Sequence, residues 1–77
     1  MRAFGATIKQ RRQELGISQE ELAHRAGLHR TYVSDLERGA RNVGLANIVR
    51  LAAALDVKPS TLVRSLDSAS AVPEQEL

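Results

Sequence analysis

The chain has no cysteine and no tryptophan, and its 77 residues include one Phe, one Tyr, one Met and two Pro. Without cysteine there can be no disulfides, no thiolate metal site and no cysteine nucleophile. With only two aromatic rings, the core has to be built from Leu, Ile, Val and Ala, which suits packed helices. Long hydrophobic runs are also missing: none approaches the roughly 18 residues that a membrane span needs. Arg2, Lys9, Arg11 and Arg12 interrupt the N-terminal apolar residues, unlike a signal peptide. A soluble, cytoplasmic chain without a membrane partner is expected. His24 and His29 lie five apart across an expected helix end with no third ligand nearby, so no metal site is expected. No nucleophile–base pair or phosphate loop is present, so the expectation is no enzyme, no catalytic residue and no cofactor.

The hydrophobic fraction is 43%, ordinary for a globular protein, and the length corresponds to one domain with a small core. The net charge is only +2 but unevenly spread. Residues 1–41 hold eight Lys/Arg against five Asp/Glu, and residues 42–77 hold three against four. The basic half suits a surface that faces phosphates, although a charge run can equally be a solvated face.

Ser18 to Gly39, SQEELAHRAGLHRTYVSDLERG, organises the rest. Ser18 is a good N-cap, and Glu21 three residues later completes a capping box. The spacing predicts a helix to Arg25 or Ala26, a turn at Gly27–His29, and a second helix from about Arg30 to Arg38. Leu22, Val33 and Leu36 can hold the pair together, and Ala23 and Ala26 are small enough to let the helices cross closely. Two short helices joined by a Gly-containing turn are the signature of a helix-turn-helix, whose second helix enters the DNA major groove.

Around this unit, Phe4, Ile8 and Leu15 form an apolar stripe on a first helix from about Ala3 to Leu15, closed by Gly16. Leu45, Ile48, Leu51/Ala52 and Leu55 predict a fourth helix with one apolar stripe, from about Leu45 to Leu55. A fifth begins near Pro59, a favoured first helical residue, and carries Leu62, Val63 and Leu66. Val49, Ala53 and Val63 are then surplus apolar residues, with Asn47 and Arg50 beside them. They constitute either a wider core contact or a two-fold interface between copies. Residues 67–77, DSASAVPEQEL, read as a disordered tail.

With Val33 and Leu36 inward, Arg30, Thr31, Ser34 and Asp35 lie on the outer face of the third helix. Arg can take guanine O6 and N7 together, while Thr can donate, accept or touch a thymine methyl. Asp35 can accept from cytosine N4, or orient Arg30 across the helix. Gln19 sits in a helix first turn, where free N–H groups attract phosphate; the alternative is a solvated residue. His29 is a weak N-cap that either touches phosphate or faces solvent. Tyr32 either packs on the turn or reaches the operator. Arg41 and Asn42 project from a loop beside the sugar-phosphate backbone. Glu37 leans inward towards Arg12, and an Arg fork is the natural partner for a buried carboxylate. A structural salt bridge between the first and third helices is expected, with Arg12 also within reach of a phosphate.

The stretch LGISQEELAHRAGLHRTYVSDLERGARNVGLANIVRLAAALDV resembles the phage-repressor/Cro-type (XRE-type) helix-turn-helix family. Ser18-Gln19-x-x-Leu22-Ala23, Gly27-Leu28 and Leu36-Glu37-x-Gly39 match its framework, over residues 4 to 66. Within that family, GLHRTYVSDLERGARN at 27–42 is similar to the controller proteins of restriction–modification systems. The resemblance implies an all-α, five-helix lambda-repressor-like domain over 1–66 that dimerises through its C-terminal helices. It implies a phosphate contact at Gln19 and the Arg12–Glu37 bridge. It also implies base reading by Arg30, Thr31 and Ser34, and central-operator or backbone contacts by Tyr32, Arg41 and Asn42. Asp35 departs from the small or neutral residue common in controllers, and Val43-Gly44 replaces a Pro-Ser, leaving the fourth helix without a strong N-cap.

The function expected is a homodimeric, sequence-specific regulator of transcription on a (pseudo)palindromic double-stranded DNA operator, with RNA polymerase as a further partner if it activates. The rival is an antitoxin-like or adaptor module that uses the same fold to bind protein.

Overall fold

The computed structural model describes residues 1–66; the tail expected at 67–77 lies outside the described residues. Five helices follow in order: α1 (Arg2–Glu14), α2 (Gln19–Ala26), α3 (Arg30–Glu37), α4 (Leu45–Ala54) and α5 (Pro59–Arg64). Among the described residues there is no strand, and no helix is long and apolar enough to cross a membrane. The helix ends fall within a residue or so of those expected from capping and periodicity.

The helices close a circuit. α1 packs on α3, α3 on α2, α2 on α4, α4 on α5, and α5 returns to α1. Each contributes its apolar stripe to one shared interior: Phe4 and Ile8, Leu22, Ala23 and Ala26, Val33 and Leu36, Ile48, Leu51 and Ala52, then Leu55 and Leu62. Leu15, Ile17, Leu28, Val43, Val57 and Leu66 pack around this core. No polar or charged residue is wholly buried among those described. The shared interior is therefore apolar, and the one nearly buried charged side chain among the described residues is that of Glu37, 3% exposed at the inner end of α3.

The first turn of α2 is set by Ser18, whose Oγ accepts from the Glu21 N–H at 3.0 Å. The reciprocal half of the expected capping box is not made. Glu21 instead accepts from Arg25 Nε at 2.8 Å, one turn along, and this contact draws its carboxyl below the usual carboxylate range. Both groups are well exposed, so the pair adds little to stability. At the other end Gly27 adopts φ +69°, and the Leu28 N–H returns to the Ala23 carbonyl at 2.9 Å. That left-handed residue turns the chain sharply enough to start α3 three residues later.

The apolar pattern misleads at one position and is silent at another. Leu45, expected in the apolar stripe of α4, is 75% exposed. It is the first residue of that helix, whose packing on α2 and α5 is carried by residues further along. Gly5 carries no signal in its pattern, yet it lies buried in the first turn of α1. A Cβ built there would stand 2.1 Å from the Leu36 carbonyl oxygen and 2.9 Å from that of Glu37. α1 thus crosses the C-terminal end of α3 backbone to backbone.

Asp56, just after α4, is the one non-glycine described residue with positive φ, at 56°. The Val57 N–H bonds to the Ala52 carbonyl at 3.0 Å, so the residue serves as a left-handed helix end. Asp tolerates this geometry where a β-branched residue does not. Asp56→Val should therefore cost about 1–2 kcal/mol, while Asp56→Gly should be neutral or slightly stabilising; thermal melts of the two variants check the contrast.

Candidate nucleic-acid interface

Helix α3 owes its orientation to a polar clamp at its inner end. Glu37 is almost wholly buried at the side chain, 3% exposed, and Arg12 reaches it from α1. Arg12 Nε donates to Oε2 at 2.6 Å and Nη2 to Oε1 at 3.0 Å, the two-pronged geometry of a guanidinium on a carboxylate. Nη1 of the same arginine donates to the Ile17 carbonyl at 2.8 Å, fixing the loop between α1 and α2. These bonds to Glu37 raise the Arg12 pKa further above its ordinary value, so the group stays charged. Gln19 adds a bond that the sequence did not suggest: its Nε2 donates to Glu37 Oε1 at 3.0 Å. One carboxylate therefore ties α1, the start of α2 and the end of α3 together.

On the outer side, the ridge of α3 stands between two open grooves. One, about 420 Å³, is lined by Arg12, Ser18, Gln19, Glu20 and Arg30. It brings the N-terminus of α2, with its free N–H groups, beside the first residue of α3. The other, about 440 Å³, is lined by Gly27, Leu28, His29, Thr31, Tyr32, Arg41 and Asn47. Arg30 and Thr31 are exposed, and Ser34 is half-buried one turn on. These three side chains make no hydrogen bond or ion pair with another described residue. His29 is the N-cap of α3 but makes no side-chain capping bond.

Asp35 does not orient Arg30. Its carboxylate accepts from Arg38 Nη2 on the following turn and faces Arg41 Nε at 3.8 Å. Arg41 in turn lies over the Tyr32 ring, 5.2 Å from its centroid, close enough for a cation–π contact. The Tyr32 hydroxyl accepts from Asn47 Nδ2 at 3.0 Å. Asp35, Arg41, Tyr32 and Asn47 thus make a polar chain from the outer face of α3 to α4. Asn47, expected at an interface between copies, is half-buried with its amide turned towards Tyr32. Asn42 is exposed in the loop.

Val49, Ala53 and the exposed Leu45 recur at four-residue spacing along α4, and Val63 stands on the neighbouring α5. Arg50 is exposed on α4, its guanidinium about 4.0 Å from where a Cβ on Gly27 would lie. Arg11 is a further polar tie that periodicity did not single out: its Nε donates to the Leu55 carbonyl at 2.9 Å, closing the end of α4.

The family model for the helix-turn-helix matches residues 8–62, which contain α2, α3 and α4 whole and most of α1 and α5. The chain belongs to the helix-turn-helix family. It is a transcription regulator of the XRE type, similar to restriction–modification control proteins. One such relative is control protein C.BamHI of Bacillus amyloliquefaciens, 49% identical over 61 residues, which are 78% of this chain and 75% of the relative. The crystal structure of the restriction–modification controller protein C.AhdI from Aeromonas hydrophila superimposes with a TM-score of 0.78 at 49% identity. That match covers 79% of this chain and 92% of the controller. The biofilm master regulator SinR, solved in complex with DNA, matches with a TM-score of 0.75 at 39% identity, over 78% and 97% of the two chains. This helix-turn-helix regulator thus shares its fold with the C.AhdI controller and with SinR as solved on DNA.

Proposed function

We propose that this regulator binds a (pseudo)palindromic operator as a homodimer, each protomer laying α3 in a major groove. The observation that carries the reading is the polar outer ridge of α3. Arg30, Thr31 and Ser34 project there without intramolecular partners, while the inner side is fixed by Val33, Leu36 and Glu37. A rigid ridge with free donors and acceptors is what reading base edges needs. Gln19 and Arg12 line the groove on one flank, where the first turn of α2 offers N–H groups to phosphate. His29, Tyr32 and Arg41 line the other, with Asn42 beyond them, as contacts to the backbone or the operator centre.

The exposed stripe of Leu45, Val49 and Ala53, with Val63 alongside and Arg50 at its edge, is the surface for a second copy. Two recognition helices about 34 Å apart then meet successive major grooves on one face of the duplex. By likeness to the control proteins, the target is the promoter of a restriction–modification operon in the cytoplasm. RNA polymerase is the further partner where the bound dimer activates.

Selection of bound sequences from random duplex DNA, followed by footprinting, tests the reading. Arg30→Ala should weaken binding to the selected duplex by about 1–3 kcal/mol and relax preference at one position in each half-site. Unchanged affinity and preference in that variant would remove α3 as the reading element. Binding that is blind to sequence and insensitive to salt would favour a protein-interaction module instead.

A further inference from the structure

We propose that Asp35 is a specificity-determining positioning residue, which holds Arg38 and Arg41 back from indiscriminate phosphate binding. The inference rests on the DNA-binding reading above and adds a device to it. Asp35 projects from the outer half of α3 with its side chain 23% exposed. Its carboxylate contacts both arginines, and its backbone carbonyl accepts from the Ala40 N–H at 2.9 Å. One residue thereby ties down the segment that leads from α3 to Arg41. The tie holds the half-exposed Arg41 over the Tyr32 ring, 5.2 Å from its centroid.

Two consequences follow from charge alone. The carboxylate cancels one of two positive charges at the edge of the reading face, lowering attraction for any duplex regardless of sequence. It also gives Arg41 a fixed position beside α3, from which only a correctly seated duplex can draw it onto a phosphate. A carboxylate on a DNA-facing helix is costly for affinity, and discrimination by an unfavourable charge is a recognised route to specificity.

The test compares wild type, Asp35→Asn, and Asp35→Asn in an Arg38→Gln/Arg41→Gln background, on the duplex recovered by selection and on a scrambled duplex of equal length. Asp35→Asn should tighten binding to scrambled DNA roughly five- to tenfold at moderate salt and steepen the salt dependence by up to about 0.9 in log–log slope per protomer. Binding to the selected duplex should change less, so the ratio between the two falls. In the arginine-free background the Asp35→Asn effect should shrink to less than about twofold, the direct repulsion between one exposed carboxylate and phosphate in salt.

Weakened binding to the selected duplex alone, with lost preference at one base pair, would overturn the proposal and make Asp35 a base contact. An effect undiminished without the arginines would also overturn it, as would no effect at all in the wild-type background. Arg30→Ala run alongside separates the cases: if it too changes nothing, the DNA-reading assignment of α3 has failed rather than this device. Circular dichroism and melting temperature of each variant exclude a folding defect as the cause.

Discussion

Replacing Gly5 by alanine should lower the melting temperature by about 4–24 °C, although alanine is the better helix former by roughly 1 kcal/mol. The added methyl would meet the Leu36 carbonyl oxygen at 2.1 Å and the Glu37 carbonyl oxygen at 2.9 Å. Both are main-chain atoms at the end of α3, so no rotamer change relieves the contact and α1 has to move away. Overpacking of this kind costs about 1–3 kcal/mol and occasionally more. A domain of 77 residues typically has only some 4–12 kcal/mol in total. The sign decides the matter: a Gly5→Ala variant that melts at or above the wild-type temperature would show that α1 does not cross α3 this closely. Gly44→Ala is the control, since a Cβ there meets nothing within 4 Å.

The second large effect belongs to the clamp beneath α3. Glu37→Ala should cost about 3–5 kcal/mol, because it strands Arg12 with little access to water. Its side chain is 12% exposed, and it would keep only the bond to the Ile17 carbonyl. The Gln19 amide loses its acceptor in the same step. The penalty comes from the unpaired charge more than from the lost attraction. The double replacement Arg12→Met/Glu37→Met should therefore recover most of the loss. Urea unfolding of the two variants measures both values, and a double variant as unstable as Glu37→Ala would mean that the ion pair itself, not the stranded charge, sets the cost.

These two sites show what was readable in the chain and what was not. The Arg12–Glu37 contact could be anticipated because each residue sits beside an inward apolar position, where an ionised group has to find a partner. The five helices were readable for a similar reason, since Leu, Ile, Val and Ala recur at helical spacing and Ser18, Gly27 and Pro59 mark ends and starts. Gly5 carried no such signal: inside a helical pattern it looks like a weak residue, and only the crossing with α3 gives it a purpose. Leu45 continued the period of its helix correctly, but periodicity does not say where the neighbouring helices stop.

The polar chain through Asp35, Arg41, Tyr32 and Asn47 was hidden for another reason. It depends on how the loop after Gly39 folds back over α3, and pattern along one helix is silent about that. The Asp35–Arg38 part was legible in principle, as an acid and a base three apart on a helix.

The division of labour along α3 also bears on how such a protein can change over generations. Val33, Leu36 and Glu37 carry the packing and the clamp, whereas Arg30, Thr31 and Ser34 carry no structural bond. On the proposed DNA-binding reading, mutations at the second set would change binding preference while breaking no side-chain hydrogen bond or ion pair, so lineages could wander through preferences at small cost in stability. Duplicated copies of such a gene could diverge to separate promoters by a few substitutions on one helix turn. The exception is Asp35, where drift in preference would also loosen the hold on two arginines.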